Sequence, residues 1–155
     1  MGLFSFIKDA GAKLFHAEPE KVEKTQEEID VDNSTTLTEQ INNLKLGVEN
    51  LKIVIQGDLA IITGDVENQA AKEKIILIVG NNYGIAEVDD QMIVTNPEPE
   101  AKFYTVKKGD YLSKISKEVY GNASKYNVIF DANKPMLKDP DLIYPGQVLR
   151  IPNLD

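Results

Sequence analysis

Apolar positions along this chain change period several times, and each change marks an element. Leu3, Phe4, Phe6, Ile7, Ala10, Leu14 and Phe15 recur at helical spacing, interrupted at Gly11. That spacing predicts a short N-terminal helix to about Ala10, then a turn or a second short helix. From Glu18 to Ser34 the chain is charged and almost free of apolar residues, the composition of a linker. Thr36 and Glu39 then stand at capping-box spacing, and Leu37, Ile41, Leu44 and Val48 follow on one helical face.

The period next falls to that of strands. Leu51–Ile55 and Leu59–Thr63 are strand-like, joined by Gln56-Gly57-Asp58 as a hairpin turn, with Gly64 and Asp65 closing the second strand. Glu67 to Val79 returns to helical spacing, with Ala71, Ile75, Ile78 and Val79 as the expected inner face. Gly80-Asn81-Asn82-Tyr83-Gly84 ends that helix, because glycine and asparagine accept the left-handed backbone of a helix cap. Ile85–Val88 and Met92–Val94 make a last strand, bent at Asp89-Asp90. Asn96-Pro97-Glu98-Pro99-Glu100 is a linker, since its prolines break regular structure and its charges stay solvated.

Two short strands, Phe103–Val106 and Gln147–Ile151, bracket the final third of the chain. Between them Asp110 is placed to cap a helix running to Val119, and Tyr120-Gly121-Asn122 is a turn. Lys125–Asn133 is a second helix with Tyr126, Ile129 and Phe130 inward, and Pro135–Tyr144 is a loop. This order, with Gly109-Asp110, Asn133 and Ile143-Tyr144-Pro145-Gly146-Gln147-Val148-Leu149-Arg150-Ile151-Pro152, resembles a LysM domain. LysM is a βααβ module that usually binds N-acetylglucosamine-containing glycans such as peptidoglycan. Tyr111, where the family usually has Thr, and the long Pro135–Asp141 segment depart from its pattern. The preceding α-β-β-α-β order, with Gly57, Gly64 and Gly84-Ile85, resembles a BON domain from about Thr35 to Thr95.

The expected fold is therefore α+β. It comprises an N-terminal amphipathic helix (1–17), a charged linker (18–34), a BON domain (35–95), a linker (96–102) and a LysM domain (103–152).

Composition narrows the chemistry. Cysteine is absent, which excludes disulfides, thiol catalysis and thiolate metal sites. His16 is the single histidine, so a histidine-rich metal site is excluded and a Ser-His-Asp triad is not expected. Asp89 and Asp90 are adjacent carboxylates, but neighbours on a strand point to opposite faces and do not share a substrate. Asp30-Val31-Asp32-Asn33-Ser34 begins like a calcium loop, yet Thr35 and Ile41 occupy the positions that need Gly and Glu. No phosphate-binding glycine loop is present. The chain is expected to bind rather than catalyse.

The net charge is −8 and unevenly spread. Residues 1–100 hold 8 Lys against 19 Asp or Glu (−11), whereas residues 101–155 hold 9 Lys or Arg against 6 acidic residues (+3). The acidic front part argues against nucleic acid and anionic membrane as partners. No stretch approaches the ~20 apolar residues of a membrane span. Met1-Gly2-Leu3-Phe4-Ser5-Phe6-Ile7-Lys8-Asp9 lacks the pattern of a signal peptide or a myristoylation site, and a cytoplasmic location is expected.

Two binding readings remain open. In LysM proteins the sugar lies between the loop after the first strand and the loop before the second. The corresponding residues here are Gly109, Asp110, Tyr111 and Leu112, and Ile143, Tyr144, Pro145 and Gly146. They serve as a glycan groove for peptidoglycan or chitooligosaccharide, or as a docking surface for the BON domain, or simply hold turns and core.

The second reading comes from the whole architecture, which resembles bacterial cytoplasmic potassium-binding proteins that join BON to LysM. The resemblance implies a monomeric K+ sensor whose N-terminal segment and BON domain enclose the ion, with LysM docking on the ion-bound form. K+ is large and weakly hydrated and suits several backbone carbonyls replacing its water. Helix C-termini supply such carbonyls and the negative end of a dipole. Two ends are available here, giving Ile7, Ala10, Ala12, Gly80, Asn82 and Ile85 as the expected carbonyl ligands. Two ordinary helix caps would produce the same sequence. Other BON proteins suggest a third class, a structural stress-response protein with affinity for phospholipid.

Overall fold

The computed structural model describes residues 2–6, 26–81 and 85–153. In chain order the elements are β1 (Gly2–Ser5), α1 (Gln26–Asn43), β2 (Val48–Gln56), β3 (Leu59–Asn68), α2 (Gln69–Gly80), β4 (Glu87–Asp90) and β5 (Ile93–Asn96). After them come β6 (Lys102–Thr105), α3 (Leu112–Tyr120), a 3-10 turn (Ala123–Lys125), α4 (Tyr126–Ala132) and β7 (Val148–Ile151).

One sheet has the order β1-β4-β3-β2, with β5 also paired to β3. β2 and β3 form the expected hairpin about Gly57, whose φ of +66° is the left-handed backbone this turn uses. β3 then serves two partners in succession, pairing in parallel with β4 along Leu59–Ile62 and with β5 along Asp65–Asn68. The last strand of this domain is thus two strands with a step at Gln91-Met92, where Asp90 Oδ1 accepts the Met92 N–H at 2.9 Å. α2 is the crossover between the parallel strands β3 and β4. β6 and β7 pair antiparallel in a second, two-stranded sheet.

Several boundaries differ from those the sequence predicts. Gly2–Ser5 is a strand, not the start of a helix, and pairs antiparallel with β4. Its residues alternate, with Leu3 exposed, Phe4 half-buried, Ser5 exposed and Phe6 half-buried. The same apolar run fits a strand period as well as a helical one, and pairing with β4 decides between them. α1 begins at Gln26, inside the segment expected to be a linker, and Thr36 lies within the helix rather than at its cap. Gln26-Glu27-Glu28 are good helix formers that extend it upstream. The helix ends at Asn43, and Val48 belongs to β2 instead of the helical face. α2 starts at Gln69 and not at Glu67, because the Asn68 side chain caps it by accepting the Ala71 N–H at 2.8 Å.

In the C-terminal part Asp110 is not the helix cap. Tyr111 holds that position, and the Asp110 carboxylate turns back to accept the Lys107 N–H at 3.0 Å and the Tyr104 hydroxyl at 2.7 Å. Ile129 is buried as expected, with Tyr126 and Phe130 packed half-buried against the core.

One continuous apolar core runs through both sheets, from Leu37, Ile62 and Ile75 to Ile115, Ile129 and Leu149. α2 lies at its centre, packed on β3, β4 and β5 and also on β7. Among the described residues no helix is long and apolar enough to cross a membrane.

Candidate cation site and the contact between the two domains

β1 carries the N-terminal segment to the C-terminal end of α2. Pairing with β4 continues beyond Ser5 through the Phe6 N–H, which the Ala86 carbonyl accepts at 2.7 Å. The Phe6 ring then sits against Gly80, where a Cβ would overlap its Cε and Cζ atoms. Glycine at the last position of α2 is what allows this approach. Among the expected carbonyl ligands, Gly80 ends α2 and Ile85 is buried just before β4. Ile7, Ala10, Ala12 and Asn82 lie outside the described residues, as does His16. Gly80 and Phe6 are thus brought together, and Phe6 directly precedes the expected ligand Ile7.

Electrostatics at this end favour a cation. The last carbonyls of a helix have no intrahelical partner and carry the negative end of its dipole. No basic residue occupies the last turn of α2. Among the described residues no three His, Cys, Asp or Glu side chains converge into a metal cluster. The donors that the described part of this end offers are main-chain oxygens, suited to a large monovalent ion rather than to a divalent one.

The residue after Gly80 makes the closest polar contact between the domains. Asn81 is buried, and its side-chain amide pairs with both main-chain polar groups of Val148. Oδ1 accepts the Val148 N–H at 2.9 Å, and Nδ2 donates to the Val148 carbonyl at 2.8 Å. Nδ2 also lies 3.3 Å from Met136 Sδ, and the Asn81 carbonyl accepts the Tyr144 hydroxyl at 3.4 Å. The Asn81 N–H caps the helix by donating to the Leu77 carbonyl at 2.9 Å. Burial pushes the Tyr144 phenol above its usual pKa, so it remains a neutral donor here.

A second contact lies toward the start of α2. Glu73 is buried and accepts from Arg150 Nε at 3.1 Å and from the Ala101 N–H at 3.2 Å. Burial and the nearby Arg150 charge both lower the Lys74 pKa. Lys72 is paired with buried Asp90 at 2.8 Å, whereas Asp89 turns to the other side of β4 and accepts from Gln91 Nε2. The two adjacent aspartates do point apart, as the strand period requires. Phe4 of β1 meets Phe103 of β6, with ring centroids 5.4 Å apart. A cavity of about 210 Å³ lies between these groups, lined by Phe4, Gln69, Lys72, Glu73, Asp90 and Phe103 among others.

The residues expected to form a glycan groove are divided. Gly109, Tyr111 and Pro145 are exposed, Asp110 and Ile143 are half-buried, and Leu112, Tyr144 and Gly146 are buried. Tyr144 is turned to Asn81 and away from solvent. Asp110 anchors its loop. Burial alone would raise its pKa, but the Lys107 N–H, the Tyr104 hydroxyl and Lys114 outweigh it and hold the carboxyl below its usual range. The Tyr104 hydroxyl is raised in turn, by burial first and then by its bond to Asp110.

Sequence reasoning did not single out Asn81, Glu73, Arg150 or Phe4. The one available signal was a second apolar patch on α2, where Ile76, Leu77 and Gly80 lie opposite the expected inner face, in line with Gln69 and Glu73.

The BON domain profile matches residues 29–96 and the LysM domain profile matches residues 104–152. The potassium binding protein Kbp of Escherichia coli O6:H1 strain CFT073 is 52% identical over 155 residues, covering 98% of this chain and 99% of that protein. An uncharacterized protein of Deinococcus radiodurans is 53% identical over 49 residues, which is 32% of this chain and 19% of that protein. With a BON domain followed by a LysM domain and near-full-length identity to Kbp, the chain belongs to the Kbp family.

Proposed function

We propose that this protein binds one K+ ion in the cytoplasm, without catalysing a reaction. In this reading, main-chain carbonyls of the N-terminal segment and of the BON domain replace the water of the ion. The set is Ile7, Ala10, Ala12, Gly80, Asn82 and Ile85. Binding favours a compact monomer in which LysM rests on the BON domain, as linkage requires of a ligand that prefers one state. The observation that carries the reading is the seating of the Phe6 ring on Gly80, which sets the entry to the N-terminal segment beside the carbonyl end of α2. The near-full-length identity to a potassium binding protein supports the same ligand.

The test is a titration of metal-stripped protein with KCl against NaCl at constant ionic strength, followed by calorimetry and amide NMR. A saturable response to K+ alone, centred on residues 7–12 and 80–85, is the expected result. Equal, unsaturated responses to both salts would mean screening of an acidic protein and would sink the proposal.

A glycan role for LysM has one observation in its favour, the exposure of Tyr111, Gly109 and Pro145 among the expected groove residues. A tyrosine face of this kind stacks on a sugar ring. Titration with chitooligosaccharide separates this role from the first, because its shifts would centre on Tyr111. Sedimentation with phospholipid vesicles tests the stress-protein class, and absence of binding removes it.

A further inference from the structure

We propose that Asn81 is the positioning residue through which the LysM domain sets the affinity of the cation site. The inference rests on the K+ reading above. Gly80 and Asn81 share one planar peptide, so the Gly80 carbonyl points opposite to the Asn81 N–H. That N–H is fixed backward onto the Leu77 carbonyl at 2.9 Å. The Gly80 oxygen is therefore aimed forward off the helix end, where a cation would meet it. Whatever holds Asn81 holds the direction of that oxygen.

What holds Asn81 belongs to the other domain. Its side chain occupies the Val148 peptide as a neighbouring strand would, with one donated and one accepted bond at 2.8 and 2.9 Å. The side chain is buried, so water does not compete for these bonds. Tyr144 donates to the Asn81 carbonyl at 3.4 Å, which ties that oxygen to LysM as well. Asn81 thus has its N–H, its carbonyl and both side-chain polar atoms fixed, three of the four by the LysM domain and the fourth by the helix end it caps. The Glu73–Arg150 pair joins the same two domains but meets α2 near its start, away from Gly80. It contributes adhesion without aiming a carbonyl. By reciprocity, K+ on the Gly80 oxygen tightens the grip of Asn81 on Val148 by the same factor that this grip tightens K+.

The experiment titrates the full chain with KCl in a NaCl background by amide NMR, for wild type, Asn81→Ala, Tyr144→Phe and Glu73→Gln. The expected result is a K+ dissociation constant raised about tenfold by Asn81→Ala and less by Tyr144→Phe. Glu73→Gln should lower the melting temperature in Na+ while keeping the K+ constant within about twofold. If Asn81→Ala is too damaged to fold, the milder Tyr144→Phe decides. An unchanged K+ constant in the folded variants overturns the inference, and so does an equal loss in Glu73→Gln, which would make domain adhesion as a whole responsible. A wild-type chain that shows no saturable K+ response overturns the K+ reading and this inference with it.

Discussion

α2 of the BON domain and α3 of the LysM domain are both short helices, yet they bury themselves differently. α3 buries Leu112, Ile115 and Ser116 and leaves Lys114, Lys117, Glu118 and Val119 to solvent, as an amphipathic helix at the edge of a small module does. α2 is buried nearly all round, with Ile75, Ile76, Leu77, Ile78 and Val79 in unbroken succession. A helix that is apolar all round needs cover on both sides. Here the BON sheet covers one side and β7 of LysM the other. LysM completes the core of the BON domain, and the end of α2 that carries the candidate cation site is held between the two.

The strongest way to break this difference is to attack the side of α2 that faces LysM. Arg150→Met removes the partner of buried Glu73 and leaves its carboxylate with the Ala101 N–H. Breaking a buried pair from one side costs about 3–5 kcal/mol. Urea unfolding should show a loss at the upper part of that range if the two domains unfold together. It should show two separate transitions if LysM detaches first. By contrast, Ile115→Ala on the covered face of α3 is an ordinary core truncation worth about 2–5 kcal/mol, with no effect on the number of transitions.

Gly80→Ala tests the same helix at its end. The new methyl would meet the Phe6 ring, which can swing aside more easily than α2 can shift. The helix itself gains, since alanine is a better helix former by about 1 kcal/mol. Melting temperature should therefore change little. Amide exchange of residues 2–6 should become faster as β1 loses its anchor, and K+ affinity should fall. An unchanged exchange rate for Phe6 would show that the ring does not hold the N-terminal segment.

How far the sequence could be read follows from the same contrast. The hairpin, the crossover helix and the βααβ module were legible because each buries a periodic stripe against elements close in sequence. The start of α1 and the strand β1 were not. β1 is fixed by β4, far along the chain, and its Leu3-Phe4-Ser5-Phe6 run satisfies two periods at once. Carbonyl ligands leave no side-chain signature, so the sequence offered only glycines at two expected helix ends, and of these glycines only Gly80 lies among the described residues. Asn81 looked like one more turn-forming residue, because its role exists only once Val148 has been brought beside it. Tyr144 was expected in the LysM groove or docking surface, but its direction depended on where the BON domain lies.

The smallest effects come from the solvent side of LysM, where two aspartates sharpen the comparison between held and free groups. The Asp110 side chain is 4% exposed, whereas that of Asp131, paired with Lys134 at 3.0 Å, is 68% exposed. The folded protein holds the Asp110 carboxyl below its ordinary range, because the Lys107 N–H, the Tyr104 hydroxyl and Lys114 outweigh the cost of burial. Its contribution is complete above the unfolded pKa and is lost as pH falls through the depressed folded pKa. Acid should therefore loosen the β6–α3 loop below about pH 4, and Asp110→Asn should flatten that dependence. At neutral pH that substitution costs about 1–2 kcal/mol, because the Tyr104 and Lys107 donors lose a charged acceptor. Asp131→Asn should change stability by less than ~0.5 kcal/mol, since an exposed pair gains little over water. The little it does contribute should vanish in 1 M salt, where screening reaches within about 3 Å. A larger or salt-independent effect at Asp131 would mean that this face of α4 is covered in solution, and that LysM has a second neighbour besides α2.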